Sequence, residues 1–400
     1  MGLKDHMRGW FTREEKSSRT APLLVQFGAR QPRFTPREYG QLAAEAYQKN
    51  VIAYRAIRLV SQNAAMVPWI VYKGKKKLED HPLAALLRRP NPMQGGAELF
   101  GAIYGFHLIA GNSYIEAVGP EGVAPRELWT LRPDRMRVVP GTSGVPEGYR
   151  YQVGGKHVDY PVDSLTGQGR CLHVKSFHPL DDWYGMSPLE AAAFSIDQHN
   201  DAAKWNAALL QSSGKPSGAL VYRPPHPDSP DVLTQEQRQA LKDELENFYT
   251  GAANAGRPLV LEGGLDWREM SLSPKDMDWL SGKDVSAREI ALAFHVPPQL
   301  IGIEGSLTFS NMEQARLALY DDAVLPMLDH FKDELNNWLA PMFGDDITIG
   351  YDPDAIDALA PRRERIWSRI SAADFMTMEE KREALGLDRV PKKGDTHDAG

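Results

Sequence analysis

A pair of long helical segments separated by a short insert constrains the fold of this chain more than any other feature. Ser187-Pro188 followed by Glu190 combines a capping box with proline at the first helical position, which marks a helix start. The pattern predicts one helix over 188–213 and a second over 273–299, which ends at a Pro-Pro pair. The 214–272 insert between them is long enough to form a small lobe of its own.

The two helices and the insert carry distinct patterns. Small residues along a helical seam allow a neighbouring helix to approach closely. In the insert, the strand-like run "GALVY" precedes a helix capped by Thr234 and Gln237, and two further runs, "PLVLE" and "DWREMSL", follow it. The lobe is therefore predicted to be β-α-β. The predicted inward positions are Ala192, Ala193, Ile196, Ala203, Ala207 and Leu210 in the first long helix, and Leu241, Leu245 and Phe248 in the insert helix.

The first half of the chain mixes helices with short strands. A helix ending before Pro68 is predicted to have one inner face, and a strand, "WIVYK", follows it. Lys73–Lys77, "KGKKK", predicts a solvated hairpin turn, with a phosphate-binding patch as the alternative. The region of about 113–178 is mostly β, so the fold class is α+β. The inner face is predicted to hold Ile52, Ala56, Leu59, Val60 and Asn63.

A glycine-bearing segment over 300–310 precedes a long helix. It lacks the glycine spacing of a phosphate loop, and Glu304 would repel a phosphate. Ser310 and Glu313 predict a capping box at the start of the next helix, and Pro326 predicts a kink inside it. Loops of this kind between long helices are often functional.

Composition excludes several classes of protein. The chain has 400 residues, 42% of them hydrophobic, a net charge of −7 and a single cysteine, Cys171. An intrachain disulfide is impossible, and the acidic balance disfavours a DNA-coating protein. No apolar run approaches the roughly 20 residues that cross a bilayer. Residues 1–35 are expected to form a mobile arm and 389–400 a disordered tail.

No catalytic motif is present in the sequence. The chain contains no HExxH, GxSxG or Walker motif. Asp197, His199 and Asp201 are the residues that a soluble metal-dependent enzyme would use, but His199 lies two residues from each carboxylate and points to a different helix face. A non-catalytic DNA-binding protein is a further alternative. No cofactor or metal is expected, and His295 is predicted to cap the end of the second long helix.

An ordered set of segments resembles the portal proteins of tailed phages, of the HK97 type. The resemblance covers about 40–388, and no single motif carries it. The segments are "NVIAYRAIRLVSQNAAMVPWIVY", "HPLAALLRRPNP", "HLIAGNSYIEAV", "LWTLRPDRMRVV", "VKSFHPLDDWYGMSPLEAAAFSI", "FHVPPQLIGI" and "FMTMEEKREALGL".

The resemblance implies a ring subunit, one of twelve in the family, at a capsid vertex of a phage or gene transfer agent. Double-stranded DNA passes through such rings during packaging and ejection, without catalysis by the ring. The implied parts are a mixed α/β wing over 36–187, stem helices over 188–213 and 273–299, a clip over 214–272, a tunnel loop over 300–310, a tunnel helix with wing return over 311–359, and a helical crown over 360–388.

The resemblance also implies partners and sites. The expected partners are the terminase large subunit, the head-tail adaptor and the major capsid protein, with assembly in the bacterial host cytoplasm, incorporation into the virion and no membrane contact. The expected DNA-channel residues are Ile303, Glu304, Gly305, Ser306, Leu307, Thr308, Phe309 and Ser310. The expected partner-binding residues of the clip are Arg223, Pro224, His226, Asp228, Glu262 and Trp267.

Overall fold

The computed structural model describes residues 39–385 apart from 121, 142–143, 212–217, 224–232, 250–264, 270–278 and 304–308. The predicted arm and tail lie outside this range. The helices are α1 (Tyr39–Leu42), α2 (Val51–Met66), α3 (Pro82–Arg88), α4 (Gly96–Ala110), α5 (Pro188–Gln211), α6 (Gln235–Tyr249), α7 (Trp279–Ala293), α8 (Phe309–Leu319), α9 (Leu325–Trp338), α10 (Ala360–Ser371) and α11 (Met378–Ala384).

The strands form small antiparallel sheets, with orders β11-β1-β2, β4-β3-β8, β5-β6-β7 and β10-β9. This mixture of helix and sheet confirms the α+β prediction. The strands are β1 (Ile70–Lys73), β2 (Lys76–Leu78), β3 (Asn112–Val118), β4 (Glu127–Leu131), β5 (Met136–Val139), β6 (Gly148–Val153), β7 (Lys156–Pro161), β8 (Cys171–Lys175), β9 (Gly218–Tyr222), β10 (Leu265–Glu269) and β11 (Ile347–Gly350).

The main core lies among helices α2, α4, α5 and α9, in which α4 contacts α2 and α5, and α2 contacts α9. Tyr104 of α4 and Phe331 of α9 are both fully buried, with ring centroids 4.9 Å apart in an edge-to-face arrangement. A second, smaller cluster lies between the sheets of β3 and β6, where Tyr114 and Tyr149 pack edge to face around Cys171. Burial raises the pKa of the Cys171 thiol, which keeps this group protonated and unreactive.

Many local predictions are confirmed. The "KGKKK" segment is the turn of the β1–β2 hairpin, with Gly74 at φ +57°. Ser187 caps α5, because its Oγ accepts the Leu189 N–H while Glu190 accepts the Ser187 N–H. The same reciprocal pattern joins Thr377 to the first turn of α11. These features depend on residues within four positions of one another, which is why the sequence predicts them.

Other predictions require correction. The buried face of α2 centres on Ala53, Ala56, Ile57, Val60 and Ala64, so Ile52, Leu59 and Asn63 lie at its edge and are only partly buried. In the second half of α5, Ala203 and Ala207 are exposed and Ala202 is buried. Strand β7 was not predicted, because its "KHVDYP" sequence alternates weakly and exposes most of its side chains.

The disruption predicted at Pro326 takes the form of a π-helical segment, Tyr320–Val324, between α8 and α9. Pro326 has no N–H to donate to the carbonyl of Asp322, so the regular i→i+4 ladder is interrupted at this point. The Leu325 N–H instead donates to the carbonyl of Tyr320, five residues earlier. The helical path thus continues from α8 to α9 through a local irregularity.

Candidate DNA-channel and partner-binding site

Helices α5 and α7 pack against each other in antiparallel orientation. The Ser195 Oγ donates to Glu289 Oε2 at 2.6 Å, and the Ser286 Oγ donates to Gln198 Oε1 at 3.3 Å. The numbering of one helix therefore rises as that of the other falls, and the ends that lead into the insert lie on the same side. The seam is formed by small and aliphatic buried residues, of which Ala192 and Ile196 were predicted: Ala192, Ile196, Ala202, Ala287, Ile290 and Ala291.

The metal-enzyme alternative is not supported by the surroundings of His199 and Asp201. His199 is buried, and its Nδ1 lies 3.2 Å from the side-chain nitrogen of Asn50, the residue that caps α2. Burial, followed by the charge of Lys283, lowers the pKa of His199 below its ordinary value. Asp201 is exposed and forms an ion pair with Lys204 at 2.9 Å. Within the described residues, no cluster of His, Cys, Asp or Glu could hold a metal ion.

A buried asparagine fixes the start of α5 and was not identified from the sequence. Asn112 Oδ1 accepts the Gly185 N–H and bonds His173 Nε2, both at 2.8 Å, and its Nδ2 donates to the carbonyls of Ala110 and Gly185. Gly185 must be glycine, because a Cβ there would lie 2.2 Å from the carbonyl oxygen of Gly111. The sequence signal at this position is a Gly-Asn pair, Gly111-Asn112, which by itself predicts no more than the end of a helix.

The second long helix ends earlier than predicted and in a different way. Helix α7 ends at Ala293, not at 299, and His295 adopts the left-handed conformation with φ +53°. The His295 N–H donates to the carbonyl of Leu292, and the Val296 N–H donates to that of Ala291, which is a Schellman motif. His295 therefore caps the helix through its backbone, whereas glycine is the usual residue at this position.

The predicted tunnel loop is shorter than 300–310. Residues Pro298–Ile301 form a 3₁₀ turn, and Gly302 follows at φ +82°. Ile303 is 6% exposed and packs on Ala287 and Ala291, so its side chain cannot line a channel. This corrects its assignment as a DNA-channel residue.

The start of the next helix also differs from the prediction. Helix α8 begins at Phe309, so Ser310 lies inside the first turn and is not the N-cap of a capping box. The Ser310 side chain is exposed, and that of Phe309 lies outside the described side chains. The remaining expected channel residues fall outside the described part of the chain: Glu304, Gly305, Ser306, Leu307 and Thr308.

The described part of the insert contains two of the predicted strands and the capped helix, and the predicted strand "PLVLE" lies outside the described residues. Strands β9 and β10 pair antiparallel, with Leu220 opposite Trp267. The predicted cap is confirmed, because the Thr234 N–H donates to Gln237 Oε1 and the Gln237 N–H donates to Thr234 Oγ1. Leu241 is partly buried, and the side chains of Leu245 and Phe248 lie outside the described set.

One charged cluster lies on the described surface of the insert. Arg223 and Arg268 approach Asp266 at 3.5 and 3.7 Å, and all three side chains are at least half exposed. Of the other expected partner-binding residues, the Trp267 side chain is not described, and Pro224, His226, Asp228 and Glu262 fall outside the described residues. Among the expected partner-binding residues of the clip, Arg223 is therefore the one whose side-chain contacts the structure describes.

None of the described helices is both long enough and apolar enough to cross a membrane. The insert lies at one end of the α5–α7 pair and the segment after α7 at the other. The assignment of these parts to stem, clip and tunnel loop stays a prediction.

Comparisons with known proteins identify the family. The family model described as "Phage portal protein" matches residues 52–386. An uncharacterized protein of Rickettsia bellii is 43% identical over 358 residues, which cover 89% of this chain and 91% of the relative. The portal protein of Enterobacteria phage HK97 is 25% identical over 306 residues, covering 72% of this chain and 66% of that protein.

A solved structure is similar over most of this chain. The neck of a native gene transfer agent particle, computed with C12 symmetry, contains a chain that is 44% identical, with a TM-score of 0.68. The match covers 91% of this chain and 97% of that one. Together with the matched family model, which spans more than half of the sequence, these findings lead to one conclusion. The chain belongs to the phage portal protein family.

Proposed function

We propose that twelve copies of this chain form a ring at one vertex of a capsid and that double-stranded DNA passes through the ring during packaging and ejection. The observation that carries this proposal is the 44% identity to a chain in a neck with C12 symmetry, over 97% of that chain's length. The particle is a phage or a gene transfer agent, and the native gene transfer agent neck favours the latter.

The proposed path of DNA is lined by residues 304–310, without Ile303. Glu304 is the single charged residue in this stretch. A ring multiplies each contact by its number of copies, and every Lys or Arg contact to phosphate adds salt-dependent affinity. An acidic or neutral constriction therefore lets DNA of any sequence slide without being held. This reasoning fits the chain's net charge of −7.

The insert is proposed to be the clip, the docking site for the terminase large subunit and later for the head-tail adaptor. The antiparallel α5–α7 pair supports this, because both of its helices enter the insert at the same end. The exposed cluster of Arg223, Asp266 and Arg268 offers charges of both signs to such partners. Contact with the major capsid protein completes the proposed location, a virion vertex assembled in the bacterial host cytoplasm.

The proposed role is structural. The complete sequence carries no Walker motif, so ATP hydrolysis for packaging is assigned to a separate motor. The metal-enzyme alternative loses its support, since His199 and Asp201 have different partners. The chain's contribution to DNA movement is then positioning and electrostatics.

Particle mass tests the proposal. Twelve chains of 44.6 kDa give about 535 kDa, which native mass spectrometry of the purified full chain should detect. Cryo-electron microscopy of the same sample should show a closed ring with a central channel. A chain that stays at 44.6 kDa over a wide range of concentrations would contradict the assembly. Closed rings that support no DNA entry in a packaging assay would contradict the conduit role alone.

A further inference from the structure

Helices α10 and α11 form a helical hairpin, here called the C-terminal hairpin (residues 360–384), in which no residue is buried. Its internal bonds are polar: Lys381 Nζ donates to the carbonyl of Ser371 at 2.9 Å, and Thr377 and Glu380 form the capping box of α11. An exposed ion pair, Arg362 to Asp321 at 2.9 Å, links α10 to the π-helical segment. Because none of its residues is buried, apolar packing against the rest of the protomer stabilises this hairpin only weakly.

Large apolar side chains of the hairpin face solvent. Phe375 is 88% exposed, Met378 72% and Trp367 46%. Ile370 lies three residues after Trp367 and therefore shares its face of α10, and it is only half-buried. Three large exposed apolar residues thus lie within 12 positions of one short hairpin, and covering them would remove apolar area from water.

The hairpin cannot be stable on local interactions alone. Helix α10 has 12 residues and α11 has seven. Isolated helices shorter than about 12–15 residues are marginal in water, and most helical stability in proteins comes from packing of an apolar face. Among the described residues, none covers the exposed side chains of Phe375 and Met378. We therefore look for a partner that covers them.

The partner fits a second copy of this chain. The family model extends to residue 386 and so includes the hairpin, and the 44% identical neck has C12 symmetry. A ring contact joins two different surfaces of the same chain, and the hairpin has opposite charges on its two helices. Arg369 of α10 and Glu379 and Glu383 of α11 are exposed, and none has a charged partner within the described residues. These groups can pair between copies.

Nucleic acid is the less suitable occupant. The basic residues at the start of α10 already have partners in the protomer: Arg362 pairs with Asp321, and Arg363 and Arg365 donate to the carbonyls of Asp354 and Pro361. Phosphate would also leave the apolar side chains uncovered. The exposed groups therefore call for a protein surface with apolar and acidic residues.

We propose that the C-terminal hairpin packs Trp367, Phe375 and Met378 on the hairpin of the next copy, with Arg369 facing Glu379 or Glu383. This inference rests on the proposed ring. It adds that the ring is closed in part by the hairpin, and that the apolar surface is solvent-exposed only in the free protomer.

Footprinting of the wild-type full chain tests the contact without any variant. Hydroxyl radicals oxidise exposed Trp and Met side chains, and both rings and dilute protomers can be treated. Oxidation of Trp367 and Met378 should slow by about tenfold in the ring if the hairpin is covered. Leu165, which is 95% exposed and lies outside the hairpin, is the internal control and should be oxidised equally in both samples.

Variants then test the energetic role. Trp367→Asp and Phe375→Asp should raise the protein concentration needed for half-assembly by at least about tenfold, whereas Trp367→Phe should change it by less than about twofold. Leu165→Asp is the matched control and should leave ring assembly unchanged. Circular dichroism of each protomer checks that the fold is retained.

Each outcome separates this proposal from the proposed function. Rings in which Trp367 is oxidised as fast as in the protomer would overturn the hairpin contact and leave the ring intact. Protection that appears only after duplex DNA is added would identify DNA as the occupant and would also overturn it. A wild-type chain that never forms rings would overturn both proposals.

Discussion

Replacement of Asn112 by alanine should destabilise the protomer more than any surface substitution. The side chain is 6% exposed and makes four hydrogen bonds of 2.7–3.1 Å, to Ala110, His173 and both backbone groups of Gly185. Each bond contributes about 1 kcal/mol net, and buried partners left unpaired cost about 1–3 kcal/mol more. We therefore expect the free energy of unfolding to fall by about 3–5 kcal/mol.

Urea denaturation of the full-length protomer, followed by circular dichroism, measures this loss by linear extrapolation. Asn337→Ala is the control, because Asn337 is an exposed residue of α9 and its side chain has no recorded hydrogen bond. Its effect should stay within about 0.5 kcal/mol. If Asn112→Ala lowers the free energy of unfolding by less than about 1 kcal/mol, the four hydrogen bonds do not stabilise the contact between the start of β3 and the segment before α5.

Three further predictions concern pH, the loop and the helix pair. Burial lowers the pKa of His107 and of His173 to about 3, so the unfolded state, with an ordinary pKa of 6.5, binds more protons between these values. The contribution of each histidine to the free energy of unfolding is therefore fully present above pH 6.5 and falls by about 2 kcal/mol between pH 6.5 and 4.5. His173→Asn should flatten the pH dependence of urea unfolding. An unchanged slope would contradict this. Excision of 304–308 should leave rings visible by electron microscopy while reducing nuclease-resistant DNA in particles, and loss of the rings would show that the loop is a packing element. Glu289→Ala should cost about 1 kcal/mol in urea unfolding by leaving the Ser195 hydroxyl unpaired, and no change would mean that water replaces the carboxylate.

The extent of helix α5 was predictable, and its orientation was only partly so. Ser187, Pro188 and Glu190 determine the first turn through contacts within three residues. The second half is rich in alanine, so hydrophobicity does not distinguish Ala202 from Ala203. Packing against α7 decided that Ala202 is buried and Ala203 exposed.

The candidate site shows the same division. The glycines of the segment after α7 and its position between two long helices predict a functional loop, and this role stays a prediction. The sequence does not show that Ile303 fills a space beside Ala287 and Ala291, because that contact depends on how the chain turns after Gly302. Ile303 was predicted to lie on the channel surface, and in the structure its side chain packs against α7.

By itself, the sequence determined the capped starts of α5 and α6, the insert between two long helices, and the family resemblance, because these depend on neighbours along the chain or on ordered segments. Only the tertiary structure decided which polar residues are buried together. Asn112 and Gly185 are 73 residues apart, and Asn50 and His199 are 149 apart. The physical reason is that a buried polar group must find its partner in space, and the identity of that partner is set by packing.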